Sequence, residues 1–199
     1  MIIVYWLLWI YWIIATFLMK KGQSRNRIAI FILLFITCSS LTIPLKHVSI
    51  NVSIIILLIV GIMLLAHSKK KLFLIIACLL LSHIYAGLKL WEIVSPVWIF
   101  LPKIIIYSSI FLCLLVLTSS NILERFIITS LSVIIGEVIY ALIVVGLGWE
   151  IIIGDQSMML LLGVLSGAIL FYRFMIEIKM KFQDILQLVE QHNKRWTNE

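Results

Sequence analysis

Seven apolar stretches occupy nearly all of this 199-residue chain and leave it few ways to fold. They lie near residues 2–19, 28–45, 48–66, 72–91, 103–118, 126–148 and 158–176. A helix needs about 20 apolar residues to cross the roughly 30 Å hydrocarbon core of a bilayer, and most of these stretches approach that length. Backbone groups in lipid must be hydrogen-bonded within their own segment, which favours helices. We therefore expect an all-α, polytopic transmembrane helix bundle of about seven spans.

The basic residues alternate between the gaps that separate these stretches. Thirteen fall at one predicted end of the bundle and three at the other, which accounts for all 16. The larger set is Lys20, Lys21, Arg25, Arg27, Lys69, Lys70, Lys71, Arg125, Arg173, Lys179, Lys181, Lys194 and Arg195. The smaller set is Lys46, Lys89 and Lys103. Because cationic loops stay in the cytoplasm, this bias predicts an N-terminus outside and a C-terminus inside.

Composition excludes several functional classes. The chain is 63% hydrophobic, well above the roughly 45–50% of soluble domains. Its net charge of +7 is divided among loops, so we expect contact with anionic lipid headgroups and no nucleic-acid binding. Cys38, Cys78 and Cys113 lie inside apolar stretches without the spacing of a metal or redox motif. No protease or phosphate-binding motif is present, so we expect no metal and no cofactor.

Two of the stretches predict less complete spans. The stretch at 48–66 must begin near Val48 to reach spanning length. Pro96 and Pro102 precede the fifth stretch, and proline both removes a backbone donor and disfavours helix in the residue before it. Residues 95–101 are therefore compatible with an interfacial or re-entrant piece.

Glu137 is the acidic residue deepest within a predicted span. A charge at that depth costs about 2.5–3.5 kcal/mol or more, so it requires a partner or a bound proton. His83 lies at a similar depth in the fourth stretch, which makes a Glu137–His83 pair geometrically feasible. Two interpretations follow: a satisfied packing contact, or an intramembrane polar site with a function.

Gly163 and Gly167 form a GxxxG pattern in the seventh stretch. Small residues let helix backbones approach closely where lipid supplies no hydrophobic driving force. The pattern favours packing against a helix of the same chain. Formation of a homodimer is the alternative interpretation.

The chain after Arg173 predicts a cytoplasmic amphipathic tail over residues 177–199, beyond a transmembrane domain of residues 1–176. Apolar residues recur there at spacings of three, four and seven, which match the period of a helix. They are Ile178, Phe182, Ile185, Val189 and Trp196. Such a stripe fits either a helix on the inner leaflet or a coiled-coil-like contact with a partner. Its mixed charge favours the partner.

Three groups of residues near the N-terminus carry a resemblance to a known family. They are Trp9-Ile10-Tyr11-Trp12, Ala15-Thr16-Phe17 and Lys20-Lys21, followed by a short basic loop and alternating spans. With these features the chain resembles the YphA-type small integral membrane proteins of Bacillus and its relatives. The resemblance implies a bacterial plasma (inner) membrane and supplies no functional residues to carry over.

Together these features predict a non-enzymatic membrane component that binds or organises a partner through the seventh span and the tail. A small permease or ion-coupled carrier that uses Glu137 and His83 is the alternative. An integral-membrane enzyme acting on lipid is a second alternative, since residues distant in sequence can assemble a catalytic triad.

Overall fold

In the computed structural model, which describes residues 2–95 and 102–196, most of the chain is helical. The elements follow in the order α1 (Ile2–Ile13), a π-helical turn (Ile14–Leu18), α2 (Gln23–Cys38), β1 (Thr42–Pro44), β2 (Val48–Asn51), α3 (Val52–His67), α4 (Lys71–Val94), α5 (Lys103–Thr118), α6 (Ile122–Gly146), β3 (Ile151–Ile153) and α7 (Gln156–Trp196). A helix thus occupies much of each apolar stretch. Residues 96–101, which hold most of the predicted interfacial piece, lie outside the described residues.

Three helices in the described part of the chain are long and apolar enough to cross a membrane. They are α4, α6 and the Gln156–Gln183 part of α7, with 24, 25 and 28 residues. At 1.5 Å per residue such helices extend about 36–42 Å. Ile3–Leu18, α3 and α5 are shorter apolar helices of 10–17 residues.

Helices α4 and α6 form the centre of the bundle. A Cβ atom at Gly136 would lie 2.6 Å from the backbone carbonyl oxygen of Ser82, so only glycine allows the two helices to come this close. Helices α3, α5 and α7 surround them and contribute Ile54, Phe111 and Leu165 to one buried cluster. A smaller cluster joins α1 and α2 to α7 through Val4, Leu8, Phe35 and Met159.

A three-stranded sheet closes one end of the bundle, which the sequence does not predict. Strands β1 and β2 form an antiparallel hairpin, and β2 pairs in parallel with β3 so that Val48 lies opposite Ile151. Their β-branched residues favour strands, yet hydropathy alone does not distinguish them from helical residues. The helices are therefore shorter than the stretches near 28–45 and 48–66, because α2 ends at Cys38 and α3 begins at Val52. We call this end the sheet end and the opposite one the basic end.

Asn51, the last residue of β2, forms hydrogen bonds that connect the sheet with α2 and α3. Its side-chain oxygen accepts hydrogen bonds from the backbone nitrogen of Ser53 at 3.0 Å and from the Ser53 hydroxyl at 2.7 Å, which caps α3. Its side-chain nitrogen donates to the carbonyl oxygen of Ser39 at 2.8 Å, just after α2. One buried residue thus holds the start of α3 against the end of α2.

Helix α7 continues well beyond the bundle. It has 41 residues and is therefore about 61 Å long, roughly twice the thickness of the hydrocarbon core. Residues up to Ile169 pack against the other helices, whereas every residue from 170 to 183 is exposed. We call residues 170–196 the α7 extension.

Candidate functional site

Glu137 lies on α6 and its side chain is fully buried. The Lys89 ammonium donates to both of its carboxylate oxygens, at 2.8 Å to Oε1 and 2.9 Å to Oε2. The Tyr85 hydroxyl donates to Oε2 at 2.8 Å. Charge-assisted hydrogen bonds of this kind offset much of the cost of removing a carboxylate from water. The buried charge is therefore balanced within the bundle.

The spacing along α4 explains why these donors meet Glu137. Ser82, Tyr85 and Lys89 follow one another at intervals of three and four residues, so they share one face of the helix. That face is buried against α6. Because Gly136 lets the α4 backbone approach, the side chain of the next residue, Glu137, comes within reach of α4.

Two aromatic rings lie beside the Lys89 ammonium. Its nitrogen lies 4.6 Å from the centroid of the Tyr140 ring and 5.7 Å from that of Tyr85. The faces of aromatic rings carry partial negative charge and attract cations. The Tyr85 ring in turn meets Phe111 edge-on at 6.0 Å between centroids. Lys89 is thus held by one carboxylate and two rings.

A second ion pair joins α4 to α5 nearer the sheet end. Lys103 donates to Glu92, and the Tyr107 hydroxyl donates to the other carboxylate oxygen of Glu92 at 2.6 Å. This pair is more accessible, because 58% of the Lys103 side chain and 23% of the Glu92 side chain remain exposed. We call the whole set the polar cluster: Tyr85, Lys89, Glu92, Lys103, Tyr107, Glu137 and Tyr140.

A small cavity adjoins the polar cluster. The centre of a water molecule has about 20 Å³ in which to move there, which suffices for about one water. The lining residues are Tyr85, Lys89, Glu92, Lys103, Ile104, Tyr107, Ser157 and Leu161. This lining carries two lysines and one glutamate, Glu92. Among the described residues, no three His, Cys, Asp or Glu side chains are grouped to hold a metal.

The structure does not bring His83 to Glu137, so the predicted pair is wrong. The His83 side chain is exposed, and its Nδ1 lies 2.7 Å from the carbonyl oxygen of Leu79, one turn earlier in the same helix. His83 follows buried Ser82 by one residue, which turns its side chain about 100° away from the α6 contact.

Gly163 and Gly167 face α1. The Tyr11 hydroxyl donates to the carbonyl oxygen of Gly163 at 2.5 Å, and a Cβ atom at Gly163 would lie 2.6 Å from the side chain of Leu7. A Cβ atom at Gly167 would collide with the Tyr11 hydroxyl. Both glycines therefore give α1 room to approach α7.

Part of the amphipathic tail stripe lies within the described side chains. Ile178 and Phe182 are exposed, with 45% and 62% of their surface accessible. The helix backbone continues to Trp196, but the side chains of Ile185 and Val189 lie outside the described part. The role of the stripe stays a prediction.

The sequence interpretation missed Lys89 as the partner of Glu137. Lys89 lies within the apolar stretch at 72–91, yet the charge bias groups it with Lys46 and Lys103 on the outer side. A lysine inside a span is as costly as a glutamate, so two such residues in neighbouring helices point to an ion pair. The position of Lys89 four residues after Tyr85 carries the same information.

A bundle of apolar helices around a buried ion pair is the architecture of an integral membrane protein. The model of one family, the YphA-like integral membrane proteins, matches residues 1–196. The chain belongs to this family, which confirms the resemblance seen near its N-terminus. No curated protein and no solved structure matches the chain.

Proposed function

We propose that this protein is a seven-span component of the bacterial plasma membrane, with its N-terminus outside and its C-terminus in the cytoplasm. Seven helices in the described residues and the gathering of 13 basic residues at one end support this arrangement. The 16-residue helices α3 and α5 extend only about 24 Å, and a bilayer adapts to such mismatch by local thinning.

Its proposed task is to bind a partner through the α7 extension, without catalysis. The observation that carries this proposal is the exposure of residues 177–183, beyond the seventh span at 158–176, in a helix about 61 Å long. An isolated helix is marginal in water unless its apolar stripe packs against another surface. A contact for Ile178 and Phe182 would supply that packing.

The expected partner is an amphipathic helix of another protein. The tail over residues 177–199 holds four acids and four bases, which are Glu177, Asp184, Glu190, Glu199, Lys179, Lys181, Lys194 and Arg195. A helix that lies on an anionic leaflet usually carries an excess of cations on its polar face. Balanced charge beside an apolar stripe is typical of a helix that pairs with a protein.

A matched pair of substitutions tests this proposal. Phe182→Asp places a charge in the stripe, and Lys179→Asp places one on the polar face, where Lys179 is exposed. Both proteins are purified from their native membranes beside the wild type, and co-purifying proteins are identified by mass spectrometry. We expect one partner to be lost with Phe182→Asp and retained with Lys179→Asp. Equal recovery with both variants would contradict the proposal.

A carrier of protons or small ions is the second candidate, and the buried Lys89–Glu137 pair beside a water-sized cavity favours it. Ionisable groups inside a membrane often mark ion pathways. Proteoliposomes that contain a pH-sensitive dye test this function directly. A proton flux that Glu137→Gln abolishes, with the α7 extension intact and no partner, would favour the carrier.

A further inference from the structure

A second buried cation lies at the basic end, at the start of α6. Arg125 is only 5% exposed. Its Nε donates to the carbonyl oxygen of Ser119 at 2.8 Å, and its guanidinium carbon lies 5.1 Å from the centroid of the Tyr172 ring. The side chain is thus held between the turn that precedes α6 and the beginning of the α7 extension.

Most of the hydrogen-bonding capacity of Arg125 is unused by the described residues. A guanidinium has five N–H donors and keeps its charge in proteins, yet only the Nε donor meets an acceptor there. The neighbouring Glu124 does not pair with it, because its carboxylate accepts from the Ser119 hydroxyl at 2.7 Å and lies 3.9 Å from the Lys70 ammonium. The terminal nitrogens are not among the buried atoms that lack a partner, so they keep access to the surroundings of the protein and an anion can reach them.

The surroundings of Arg125 favour an anion. Lys70 lies 3.9 Å from Glu124, with 68% of its side chain exposed. Lys69 precedes it in the α3–α4 turn, and Lys71 follows it as the first residue of α4. No side-chain hydrogen bond caps the N-terminus of α6 at Asn121, so the positive end of the helix dipole also faces this region. Glu124 is the acidic group in this cluster.

Apolar side chains border the cationic group. Leu72, Leu117 and Leu123 are 73%, 78% and 62% exposed. They lie at the ends of α4, α5 and α6, each two residues along the chain from Lys70, Ser119 or Arg125. A ligand that combines a phosphate with acyl chains matches both surfaces. Basic pockets between transmembrane helices bind such headgroups.

We infer that Arg125 and Lys70 bind the phosphodiester of a phospholipid whose headgroup has a net negative charge. The two terminal nitrogens of Arg125 donate to phosphate oxygens, while Ser119 and the Tyr172 ring hold the guanidinium plane. Lys70 supplies a second positive charge. A zwitterionic lipid binds less well, because its ammonium group meets the lysines. This site includes Tyr172 at the start of the α7 extension, but not Ile178 or Phe182, through which the extension is proposed to contact a partner.

Native mass spectrometry of the purified full-length protein tests the inference. The protein in detergent receives equal amounts of phosphatidylglycerol and phosphatidylcholine, and the lipids retained by each variant are counted. We expect the wild type to prefer phosphatidylglycerol and Arg125→Gln to retain about tenfold less of it, as expected for the loss of a charge-assisted contact. Arg27→Gln removes one exposed charge from the same end and serves as the control, with retention unchanged.

Further variants keep the test decisive if Arg125→Gln does not fold. Lys70→Gln alters an exposed side chain and should also lower phosphatidylglycerol retention relative to Arg27→Gln. Equal retention by Arg125→Gln or Lys70→Gln and by the control would overturn the inference. A competition experiment distinguishes a lipid headgroup from free phosphate as the ligand. If millimolar inorganic phosphate displaces the retained lipid, the site binds free phosphate and the lipid assignment is wrong.

Discussion

Replacing Glu137 by glutamine separates the charge of the buried pair from its shape. Glutamine keeps the side-chain volume and can still accept the hydrogen bond from Tyr85. It removes the counter-charge of Lys89, whose ammonium contacts both carboxylate oxygens at 2.8 and 2.9 Å. We therefore expect Glu137→Gln to destabilise the bundle without altering its packing.

The expected magnitude follows from the burial of the two partners. Removing one member of a buried ion pair costs about 3–5 kcal/mol, because the other charge is left without a partner. Lys89 is 8% exposed and five residues from the end of α4, so part of its charge can reach water and the lower value applies. A loss of about 3 kcal/mol lowers the unfolding temperature by about 6–12 °C in a chain of this size.

Cys78 offers a direct assay of unfolding. It is only 2% exposed and lies on α4, whereas Cys113 is exposed and Cys38 is partly exposed. With Cys38→Ala and Cys113→Ala as background, a thiol-reactive fluorogenic maleimide reports the exposure of Cys78 as the protein is heated in detergent. His83→Ala is the control, and its exposed position predicts a shift below about 2 °C.

A double-mutant cycle completes this test. Lys89→Met alone should destabilise the protein about as much as Glu137→Gln, since it leaves the fully buried carboxylate without its cation. The double variant should be more stable than the sum of the two losses implies, with a coupling energy of about 2–3 kcal/mol. Additive losses, or a Glu137→Gln shift no larger than that of His83→Ala, would refute the reasoning.

Three further substitutions test the packing in the same heating assay. Gly136→Ala should lower the free energy of unfolding by about 2–3 kcal/mol, because the new Cβ would lie 2.8 Å from the Tyr85 ring and close to the Ser82 carbonyl, which cannot move aside. An unchanged stability would mean that α4 and α6 are farther apart. Asn51→Ala should cost about 1–2 kcal/mol by removing the α3 cap and the bond to the end of α2, and Asn51→Asp should restore only the cap. Tyr11→Phe should cost about 1 kcal/mol by removing the bond to Gly163, and no loss would indicate that α1 is not held there.

Hydropathy and charge predict the helices of this protein better than the contacts between them. Each apolar stretch holds a helix, because lipid leaves the backbone no other way to satisfy its hydrogen bonds. Hydropathy does not predict the strands. Residues 151–153, for example, are three isoleucines, whose hydropathy suits a helix and a strand equally. Their pairing with β2 depends on a contact about 100 residues away in the chain, which no local pattern encodes.

For the polar cluster, the sequence predicts that Glu137 has a partner but not which residue it is. The cost of burying Glu137 predicts that it has a partner, and the structure supplies one. Depth in the membrane favours His83, but depth does not specify which way a side chain points around its helix. The 100° turn per residue places Lys89, and not His83, on the face toward α6. A long lysine side chain also spans the difference in height.

The two ends of the bundle differ in charge, and this difference leads to a last prediction. The sheet end has three cations, Lys46, Lys89 and Lys103, and four acids, Glu92, Glu137, Glu150 and Asp155. The basic end has 13 cations and five acids. Cations near an anionic leaflet each contribute about 1 kcal/mol, and salt screens them. Anionic lipid should therefore raise the unfolding temperature of the wild type, and salt should reduce that gain.

The buried Lys89–Glu137 pair should not respond to either change. Its ammonium and carboxylate lie within hydrogen-bonding distance inside the bundle, where screening by salt is weak. The shift caused by Glu137→Gln should thus be the same in phosphatidylglycerol and in phosphatidylcholine, at low and at high salt. A shift that depended on the lipid would mean that the polar cluster and the basic end are coupled, and that the two ends do not act independently.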